Sequence, residues 1–475
     1  MNGGVPLVKN ICCIGAGYVG GPTMAVIAAK CPEITINVVD VNQKRVSDWN
    51  SEDLANLPIY EPGLSEIIEI ARNRNLFFSN EIAKKISEAD MVFISVNTPT
   101  KTKGLGAGLA SDLRWVESCA RQVAEFAKER TIVVEKSTLP VRTAQVIKSI
   151  LDSSTSKIDQ DKKIKSFSVL SNPEFLSEGT AIDDLEFPDR VLIGGEDKLA
   201  IEALTNIYLN WVPKTKIITT NLWSSELSKL IANAFLAQRV SSINSVSAIC
   251  EATGADVREV ADAVGMDSRI GRNFLNTGPG FGGSCFKKDI LNLVYICKYL
   301  GLEEVANYWE KVVEINTWQK KRISQKIVQN LFGTVAGKKI ALLGYAFKAN
   351  TNDTRETPAK TIAEDLIEEG AILAIHDPKV DVVNIQNDLG PEYKGIDYYQ
   401  VNNGVWSYYD VIEEAVKGAD AIIILTDWDI YRRINWDKIT SLMRYPAWIF
   451  DTRLVINKEN LNNNNLNLWQ LGTTN

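Results

Sequence analysis

The first 40 residues constrain the fold more than any other part of the chain. A short apolar run at residues 7–14 leads directly into Gly15-Ala16-Gly17-Tyr18-Val19-Gly20, and a helical stretch continues through Ala29. A β-branched run at residues 34–39 follows and ends in Asp40. Strand, glycine pattern, helix, second strand and terminal acid together predict a βαβ unit that binds a dinucleotide. A glycine-rich turn without a ligand is the less favoured alternative.

The glycines and the acid also indicate which dinucleotide binds. Glycines let the backbone approach a pyrophosphate at the helix N-terminus, where free N–H groups and the helix dipole favour an anion. Asp40 can accept hydrogen bonds from a ribose diol and would repel a 2′-phosphate, which favours NAD over NADP. Arg45 lies close enough in the sequence to weaken that preference.

Further strand-like runs occur at residues 91–96, 131–135, 167–170 and 190–194. Three polar loops follow strands of this series: Asn97-Thr98-Pro99-Thr100, Lys136-Ser137-Thr138 and Ser171-Asn172-Pro173-Glu174. Ligands of open α/β sheets bind beyond the carboxyl ends of the strands. We therefore expect the site in these loops.

The remaining chain divides into a helical and a second α/β part. Helical spacing of apolar residues starts at Ser224 and persists for about 100 residues. A new α/β pattern starts at Lys338, but its first turn, Gly344-Tyr345-Ala346-Phe347-Lys348, lacks the full glycine pattern, which favours a related nucleotide over a second dinucleotide. The predicted fold class is α/β, with two Rossmann-like doubly wound domains joined by a central long-helix segment. Predicted boundaries are 1–221, 222–332 and 333–475, with a final edge strand at residues 466–469.

Composition excludes several classes of protein. A net charge of −7 argues against a nucleic-acid partner, and no apolar run is long enough for a membrane span, so a cytoplasmic protein is expected. Seven cysteines without a CxxC pair fit neither a disulfide framework nor a zinc site, and no metal is expected. The one histidine, His376, is predicted to end a strand, so acid and base chemistry must fall to Glu, Asp, Lys or Cys.

One helix face carries candidate catalytic residues. Lys229 and Asn233 are four residues apart, and Glu226 precedes the lysine by three. Two interpretations stay open: a solvated Glu-Lys pair, or a buried ammonium and amide that face the same substrate oxygen.

Cys285 is the candidate nucleophile. Gly280, Gly282 and Gly283 precede it, and Lys287 and Lys288 follow and would favour the thiolate. A buried inert thiol is the alternative. A thiol beside a hydride acceptor suggests oxidation beyond an aldehyde, through a thiohemiacetal and a thioester. Such a route consumes two NAD and needs a carboxylate that activates water.

Motifs along the whole chain resemble those of the UDP-glucose/GDP-mannose dehydrogenase family in its eukaryotic form. They are Gly15 to Gly20, Leu57-Pro58-Ile59-Tyr60-Glu61-Pro62-Gly63, Val96 to Thr100, Glu135-Lys136-Ser137-Thr138, Asn172-Pro173-Glu174-Phe175-Leu176, Glu226 to Asn233, Gly280 to Asp289, and Asp353-Thr354-Arg355-Glu356.

The resemblance implies oxidation of UDP-glucose at C6 to UDP-glucuronate, with two NAD reduced and a covalent intermediate on Cys285. It implies that Lys229 and Asn233 stabilise the oxyanion and that Glu174, with Thr138 and a water, is the general base. Asp289 would support hydrolysis of the thioester. GDP-mannose or a UDP-N-acetylhexosamine is the alternative substrate, and an NAD-binding regulator with Cys285 as a redox switch is the nonenzymatic alternative.

Binding residues are implied in the same way. Implied NAD contacts are Gly15, Ala16, Gly17, Tyr18, Val19, Gly20, Asp40, Arg45, Val96, Asn97, Thr98, Pro99, Thr100, Ser137, Thr138, Glu178 and Arg355. Implied sugar-nucleotide contacts are Glu174, Phe175, Leu176, Ser177, Glu178, Lys229, Asn233, Arg269, Asn276, Gly280, Phe281, Gly282, Phe347, Lys348 and Arg453. Arg269 resembles an arginine that reaches a neighbouring subunit's site, so a homo-oligomer, a dimer or an assembly of dimers, is implied. The chain departs from the family pattern at Lys287, at Ala349-Asn350 and at Thr452.

Overall fold

The computed structural model describes residues 4–128, 130–137, 143–155, 165–394, 404–458, 461 and 466–474. The chain forms two compact units, which are described separately. The N-terminal unit comprises residues 1–232 and 291–302, and the C-terminal unit comprises residues 233–290 and 303–475. The predicted three-part boundaries stay a prediction.

The N-terminal unit is built on an eight-stranded sheet of order β3-β2-β1-β4-β5-β6-β7-β8. Its strands are β1 (Asn10–Ile14), β2 (Thr35–Val39), β3 (Leu76–Ser79), β4 (Met91–Ile94), β5 (Arg130–Glu135), β6 (Ser166–Ser171), β7 (Val191–Gly195) and β8 (Ile217–Thr220). Every pair is parallel except β6 with β7. Strand β1 lies between β2 and β4, where Ile14 pairs with Val39 on one side and with Ile94 on the other.

Helices cover both faces of this sheet, and its central strands are accordingly apolar runs that are buried on both faces. The helices are α1 (Gly20–Lys30), α2 (Gln43–Trp49), α3 (Leu64–Ala71), α4 (Ile82–Glu88), α5 (Arg114–Phe126), α6 (Thr143–Thr155), α7 (Ala181–Glu186) and α8 (Lys198–Tyr208). The predicted βαβ unit is confirmed, because α1 begins at Gly20 and β2 ends immediately before Asp40.

Four helices form the helical part of the chain. They are α9 (Leu222–Thr253), α10 (Val257–Gly265), α11 (Phe286–Tyr299) and α12 (Glu303–Asn330). The unit boundary falls within α9, after residue 232, and within α11, after residue 290.

The C-terminal unit contains a six-stranded sheet of order β11-β10-β9-β12-β13-β14, in which all pairs are parallel. Its strands are β9 (Lys339–Leu343), β10 (Ile372–His376), β11 (Val405–Tyr408), β12 (Ala421–Ile424), β13 (Ala447–Asp451) and β14 (Leu466–Gln470). Its helices are α13 (Pro358–Glu368), α14 (Val382–Leu389), α15 (Ile412–Val416), α16 (Asp429–Arg432) and α17 (Trp436–Ser441). The predicted α/β class and the predicted edge strand at the C-terminal end are confirmed.

Two features are absent from the described residues. No helix in this part of the chain combines the length and the apolar character that crossing a membrane requires. No group of three or more His, Cys, Asp or Glu side chains among these residues is arranged to hold a metal ion.

Candidate active site

The glycine turn after β1 leaves space for a ligand while packing closely against its own sheet. Gly15 has a φ of +109°, and a Cβ placed on it would lie 2.1 Å from the carbonyl oxygen of Ser95. A Cβ on Gly17, in contrast, would meet no heavy atom within 4 Å. The first glycine is thus required by the protein's own packing, and the second borders open space where a pyrophosphate would fit.

Asp40 lies beside this turn, as predicted. Its Oδ2 accepts hydrogen bonds from Ala16 N at 2.9 Å and from Arg45 Nη1 at 3.0 Å, and its Oδ1 accepts one from Asn42 N at 2.8 Å. The carboxylate is therefore fixed at the end of β2 next to the glycine turn, where a dinucleotide presents its ribose. The turn and the acid fit NAD.

Two of the predicted cofactor loops lie together. Ser137, which follows β5, donates a hydrogen bond from Oγ to Val96 O at 2.8 Å, and Val96 lies in the loop after β4. Thr98 in that loop is buried. Thr138 lies outside the described residues.

Glu174 and Lys229 form a buried ion pair in the N-terminal unit. Lys229 Nζ lies 3.0 Å from Glu174 Oε2, and both side chains are 4% exposed. The aromatic ring of Phe175 lies beside the pair, 5.5 Å from Lys229 Nζ, and the guanidinium of Arg190 stacks on that ring at 3.8 Å. Of the two interpretations of this helix face, the one that predicts a buried ammonium group is therefore correct for the burial of Lys229.

Glu226 has a different role from the one that its spacing suggested. It is buried, and its Oε1 accepts a hydrogen bond from Ala144 N, in the first turn of α6, at 2.7 Å. Burial and the adjacent Glu226 raise the pKa of Glu135 well above its usual range. The interpretation as a solvated Glu-Lys pair is wrong, because Glu226 and Lys229 are both buried and Lys229 pairs with Glu174.

Glu61 is a residue whose contacts the sequence did not reveal. Its two carboxylate oxygens accept hydrogen bonds from Gly179 N at 2.7 and 2.8 Å, and Oε2 also lies 3.2 Å from Ala181 N. Glu61 therefore anchors the turn that directly follows Glu178. The motif around Glu61 was visible in the sequence, but nothing local identified its partner.

Cys285 lies at the N-terminus of α11 in the C-terminal unit. Its carbonyl oxygen accepts a hydrogen bond from Asp289 N at 2.9 Å, and Ser284 Oγ lies 3.4 Å from its Sγ. Cys285 is partly exposed, whereas the other six cysteines are buried. Burial raises the pKa of Cys12 and Cys119 to about 12. A helix N-terminus favours an anion, so the position and exposure of Cys285 fit the nucleophile that the sequence predicts.

The two lysines after Cys285 are both engaged with carboxylates. Lys287 Nζ lies 2.8 Å from Glu356 Oε2, and Lys288 Nζ lies 2.8 Å from Asp289 Oδ1. Their charges are therefore offset, and the helix terminus is the better supported source of thiolate stabilisation. The pairing with Glu356 gives Lys287, a departure from the family pattern, a structural role.

A second buried pair lies one turn into α11. Asn233 Nδ2 donates a hydrogen bond to Asp289 Oδ2 at 2.6 Å, and Asp289 is fully buried. The predicted residues Asn233, Asp289 and Cys285 thus share this part of the C-terminal unit.

Helix α12 and the segment before α13 hold the glycine loop that precedes Cys285. The side-chain amide of Asn316 accepts a hydrogen bond from Phe281 N at 2.8 Å and donates one to Phe281 O at 3.1 Å. Gly283 N donates to Arg355 O at 2.8 Å, and a Cβ on Gly282 would lie 2.7 Å from Glu356 O. The close approach that glycine permits is therefore used by the protein's own backbone.

Arg453 is brought together with Phe347. The Arg453 guanidinium donates hydrogen bonds to Phe347 O at 3.1 Å and to Leu425 O at 2.8 Å. Thr452 donates from Oγ1 to Ile424 O at 2.6 Å, which gives this departure from the family pattern a hydrogen bond that glycine could not make. Lys348 Nζ lies 5.6 Å from the Phe347 ring.

Three predicted residues have polar neighbours of their own. Arg355 is half-exposed and pairs with Asp353, and Arg269 is 87% exposed and pairs with Asp267. Asn276 accepts a hydrogen bond from Arg272 Nη1 at 2.9 Å.

His376 has no place in this chemistry. It is the last residue of β10, as predicted, and its Nδ1 lies 2.9 Å from Tyr431 Oη. Burial lowers its pKa, so it stays neutral at physiological pH.

A dinucleotide turn with a carboxylate, a buried carboxylate-ammonium pair and a helix-terminal thiol are the components of a nicotinamide-dependent dehydrogenase. Three domain models of one family match the chain: its NAD binding domain at residues 9–212, its central domain at 223–318 and its UDP binding domain at 341–458. The chain belongs to the UDP-glucose/GDP-mannose dehydrogenase family, and its cofactor is NAD.

Similar proteins come from plants and animals. The chain is 53% identical to UDP-glucose 6-dehydrogenase 3 of rice (Oryza sativa subsp. japonica) over 98% of this chain and 97% of the relative. It is 55% identical to the UDP-glucose 6-dehydrogenase of Drosophila melanogaster, over 95% and 94% of the two chains. The solved structure of a UDP-glucose dehydrogenase from Pyrobaculum islandicum has a TM-score of 0.83 at 29% identity and covers 99% of both chains.

Proposed function

We propose that this protein oxidises UDP-glucose at C6 to UDP-glucuronate through a thiohemiacetal and a thioester on Cys285, with two NAD reduced per substrate. The position of Cys285, the partly exposed thiol at the N-terminus of α11, carries the proposal. The names of relatives at 53% and 55% identity support the choice of substrate.

When bound, NAD would supply the hydride acceptor for the two oxidations. The residues that would hold it are the glycine turn, Asp40, Arg45, the loop at 96–100, Ser137, Thr138, Glu178 and Arg355. The remaining chemistry falls to the protein's own side chains.

In the first oxidation Glu174 takes the proton of the C6 hydroxyl, directly or through a water held with Thr138. Lys229 stabilises the negative charge that develops on that oxygen, and Asn233 assists. Loss of this proton to Glu174 and of a hydride from C6 would convert the alcohol into an aldehyde. The observed ion pair supports these roles, because it holds an ionised carboxylate and an ammonium together in a buried position.

In the second oxidation the Cys285 thiolate adds to the aldehyde carbon and forms a carbon–sulfur bond. The electron pair of the carbonyl π bond moves to the oxygen, which takes the proton from Glu174. Loss of a hydride from this carbon, and of the hydroxyl proton to Glu174, converts this thiohemiacetal into a thioester. Water then attacks the thioester carbon while a carboxylate accepts its proton, and the carbon–sulfur bond breaks. UDP-glucuronate and the Cys285 thiolate are the products. Asp289, buried one turn after Cys285, supports this step.

Further assignments belong to the same proposal. UDP-glucose would contact residues 174–178, Lys229, Asn233, Asn276, 280–282, Phe347, Lys348 and Arg453. Arg269, exposed and paired with Asp267, would reach the site of a neighbouring subunit in a homo-oligomer. We also propose a cytoplasmic location and the three-part division at 1–221, 222–332 and 333–475.

The decisive measurement is the number of NADH formed per UDP-glucose consumed, in the wild type and in Cys285→Ser. We expect a ratio of about two in the wild type and no UDP-glucuronate from the serine variant. Cys250→Ala, which changes a buried thiol, is the matched control and should keep the ratio of the wild type. A wild-type ratio near one, or an unimpaired serine variant, contradicts the thioester route, and turnover of GDP-mannose alone contradicts the substrate.

A further inference from the structure

Lys136 is a buried lysine that the proposed mechanism does not use. It follows β5 directly and is 3% exposed. Its Nζ donates hydrogen bonds to Asn172 Oδ1 at 3.1 Å and to Tyr208 Oη at 3.4 Å, both of which are neutral groups. Because removing an ammonium group from water costs free energy, a buried lysine at this position indicates that Lys136 has a function.

The hydrogen bonds of Lys136 converge on one asparagine. Asn172 Oδ1 also accepts a hydrogen bond from Tyr208 Oη at 2.6 Å, and Asn172 Nδ2 donates to Leu192 O at 2.8 Å. The backbone N–H of Asn172 donates to Glu135 O at 2.8 Å. The asparagine is therefore fixed through both ends of its side chain and through its backbone.

Asn172 is two residues before Glu174, with Pro173 between them. Because proline restricts both its own backbone and that of the residue before it, a fixed Asn172 also limits the conformations of Glu174. Lys136, Asn172, Glu174 and Tyr208 line one cavity of about 120 Å³ within the N-terminal unit. Lys136 thus acts on Glu174 through a short, rigid segment.

Lys136 also interacts with Glu174 and Lys229 through its charge. Burial lowers the pKa of Lys136 to about 8, the carboxylate of Glu174 opposes that change, and the ammonium of Lys229 adds to it. Three ionisable groups therefore interact within this buried region. When Lys229 stabilises a substrate oxygen, Lys136 remains as a second buried cation at the cavity that Glu174 lines. Three other charged residues line the same cavity: Asp184, Asp189 and Arg190.

We propose that Lys136 is a positioning residue for Glu174: together with Tyr208 it fixes the Asn172-Pro173-Glu174 segment, and its charge attracts the Glu174 carboxylate in the cavity that both residues line. The inference rests on the proposed function, in which Glu174 is the general base. A base must be deprotonated to act, so loss of the Lys136 charge raises the pH that the reaction needs.

The test compares Lys136→Met, Lys136→Arg and Tyr208→Phe in the full chain, with kcat and KM measured for UDP-glucose from pH 4 to 10. We expect Lys136→Met to lower kcat roughly tenfold or more, with KM changed less than about threefold. In this variant, the acidic limb of the plot of kcat against pH should move to higher pH. Lys136→Arg keeps the charge and the position of that limb. Tyr208→Phe lowers kcat without moving the limb, because it removes only a hydrogen bond to Asn172.

The proposal is overturned if the acidic limb of Lys136→Met stays at the pH of the wild type. It is also overturned if the acidic limb of Lys136→Arg moves as far as that of Lys136→Met. If the Lys136→Met variant does not fold, Lys136→Gln is used in its place. Lys136→Gln should then show the same shift of the acidic limb. The number of NADH formed per UDP-glucose by the wild type distinguishes failure of the proposed role of Lys136 from failure of the proposed function. A ratio of two with an unmoved limb refutes the role of Lys136 alone, whereas a wild type that does not oxidise UDP-glucose refutes the proposed function.

Discussion

Lys229 Nζ lies 3.0 Å from Glu174 Oε2, in a site where both side chains are almost completely buried. A buried ion pair of this kind contributes little net stability while it is intact, because desolvation offsets the attraction between the charges. Loss of one member, in contrast, leaves a charge in a poorly solvated place. The pair therefore couples the stability of the N-terminal unit to its proposed chemistry.

Lys229→Met is expected to lower kcat by about 10²- to 10³-fold, because the oxyanion loses its cation. The variant should also lose about 3–5 kcal/mol in the free energy of unfolding, since a buried partner is removed. Lys84→Met is the control, because Lys84 pairs with Glu81 on the exposed surface, and it should cost less than about 1 kcal/mol. Urea denaturation and steady-state kinetics measure both quantities. Equal stability of the two variants would contradict the expectation.

Asp289→Asn is expected to slow hydrolysis of the thioester more than the two oxidations. A covalent sugar-nucleotide adduct on Cys285 should therefore accumulate, and intact-protein mass spectrometry should detect it while kcat falls roughly 10²-fold. Asp262→Asn, at an exposed carboxylate that pairs with Arg272, should show neither effect. Slow turnover without an adduct would place the role of Asp289 in another step.

Glu61→Ala should weaken binding rather than chemistry. The variant removes the carboxylate that accepts the hydrogen bonds of Gly179 N, so the segment at 174–178 loses its anchor. We expect KM for UDP-glucose and NAD to rise about tenfold, in line with the loss of one or two charge-assisted hydrogen bonds. Glu66→Ala, on the exposed side of α3, is the control. Unchanged KM values in Glu61→Ala would show that the anchor is dispensable.

Glu135→Gln should change how stability depends on pH. The pKa of Glu135 is raised in the folded protein, so between pH 5 and 9 the folded state binds more protons than the unfolded state at this site. Wild-type stability from this group is thus present at low pH and is lost as pH rises. Relative to the wild type, Glu135→Gln should gain about 1 kcal/mol or more between pH 5 and 9.

Denaturation of the wild type and Glu135→Gln at pH 5, 7 and 9 measures that difference. Glu117→Gln changes an exposed glutamate that pairs with Arg121 on α5, and its difference from the wild type should be independent of pH. A difference for Glu135→Gln that is also independent of pH would show that Glu135 binds no additional proton in the folded state.

Local patterns predicted most of the fold and part of the site. Strands that are buried on both faces require apolar runs, so β1, β4 and β12 were recognisable in the sequence. The contacts of Glu61 and Glu226 were not, because their partners lie 118 and 82 residues away. Lys229 illustrates the same limit: its spacing suggested Glu226, but the folded chain supplies Glu174. Thr138 and the domain boundaries stay predictions.

The two sheets use an aspartate at the same topological place for different purposes. Asp377 follows β10 as Asp40 follows β2, but its carboxylate accepts hydrogen bonds from five N–H groups, those of Tyr345, Ala346, Lys379, Val380 and the Trp428 indole. No lone pair of that carboxylate is readily left for a ribose hydroxyl. A glycine pattern introduced into the turn after β9 would therefore not be enough to create a second dinucleotide site in the C-terminal sheet. The hydrogen bonds that Asp377 accepts from the protein would first have to be removed.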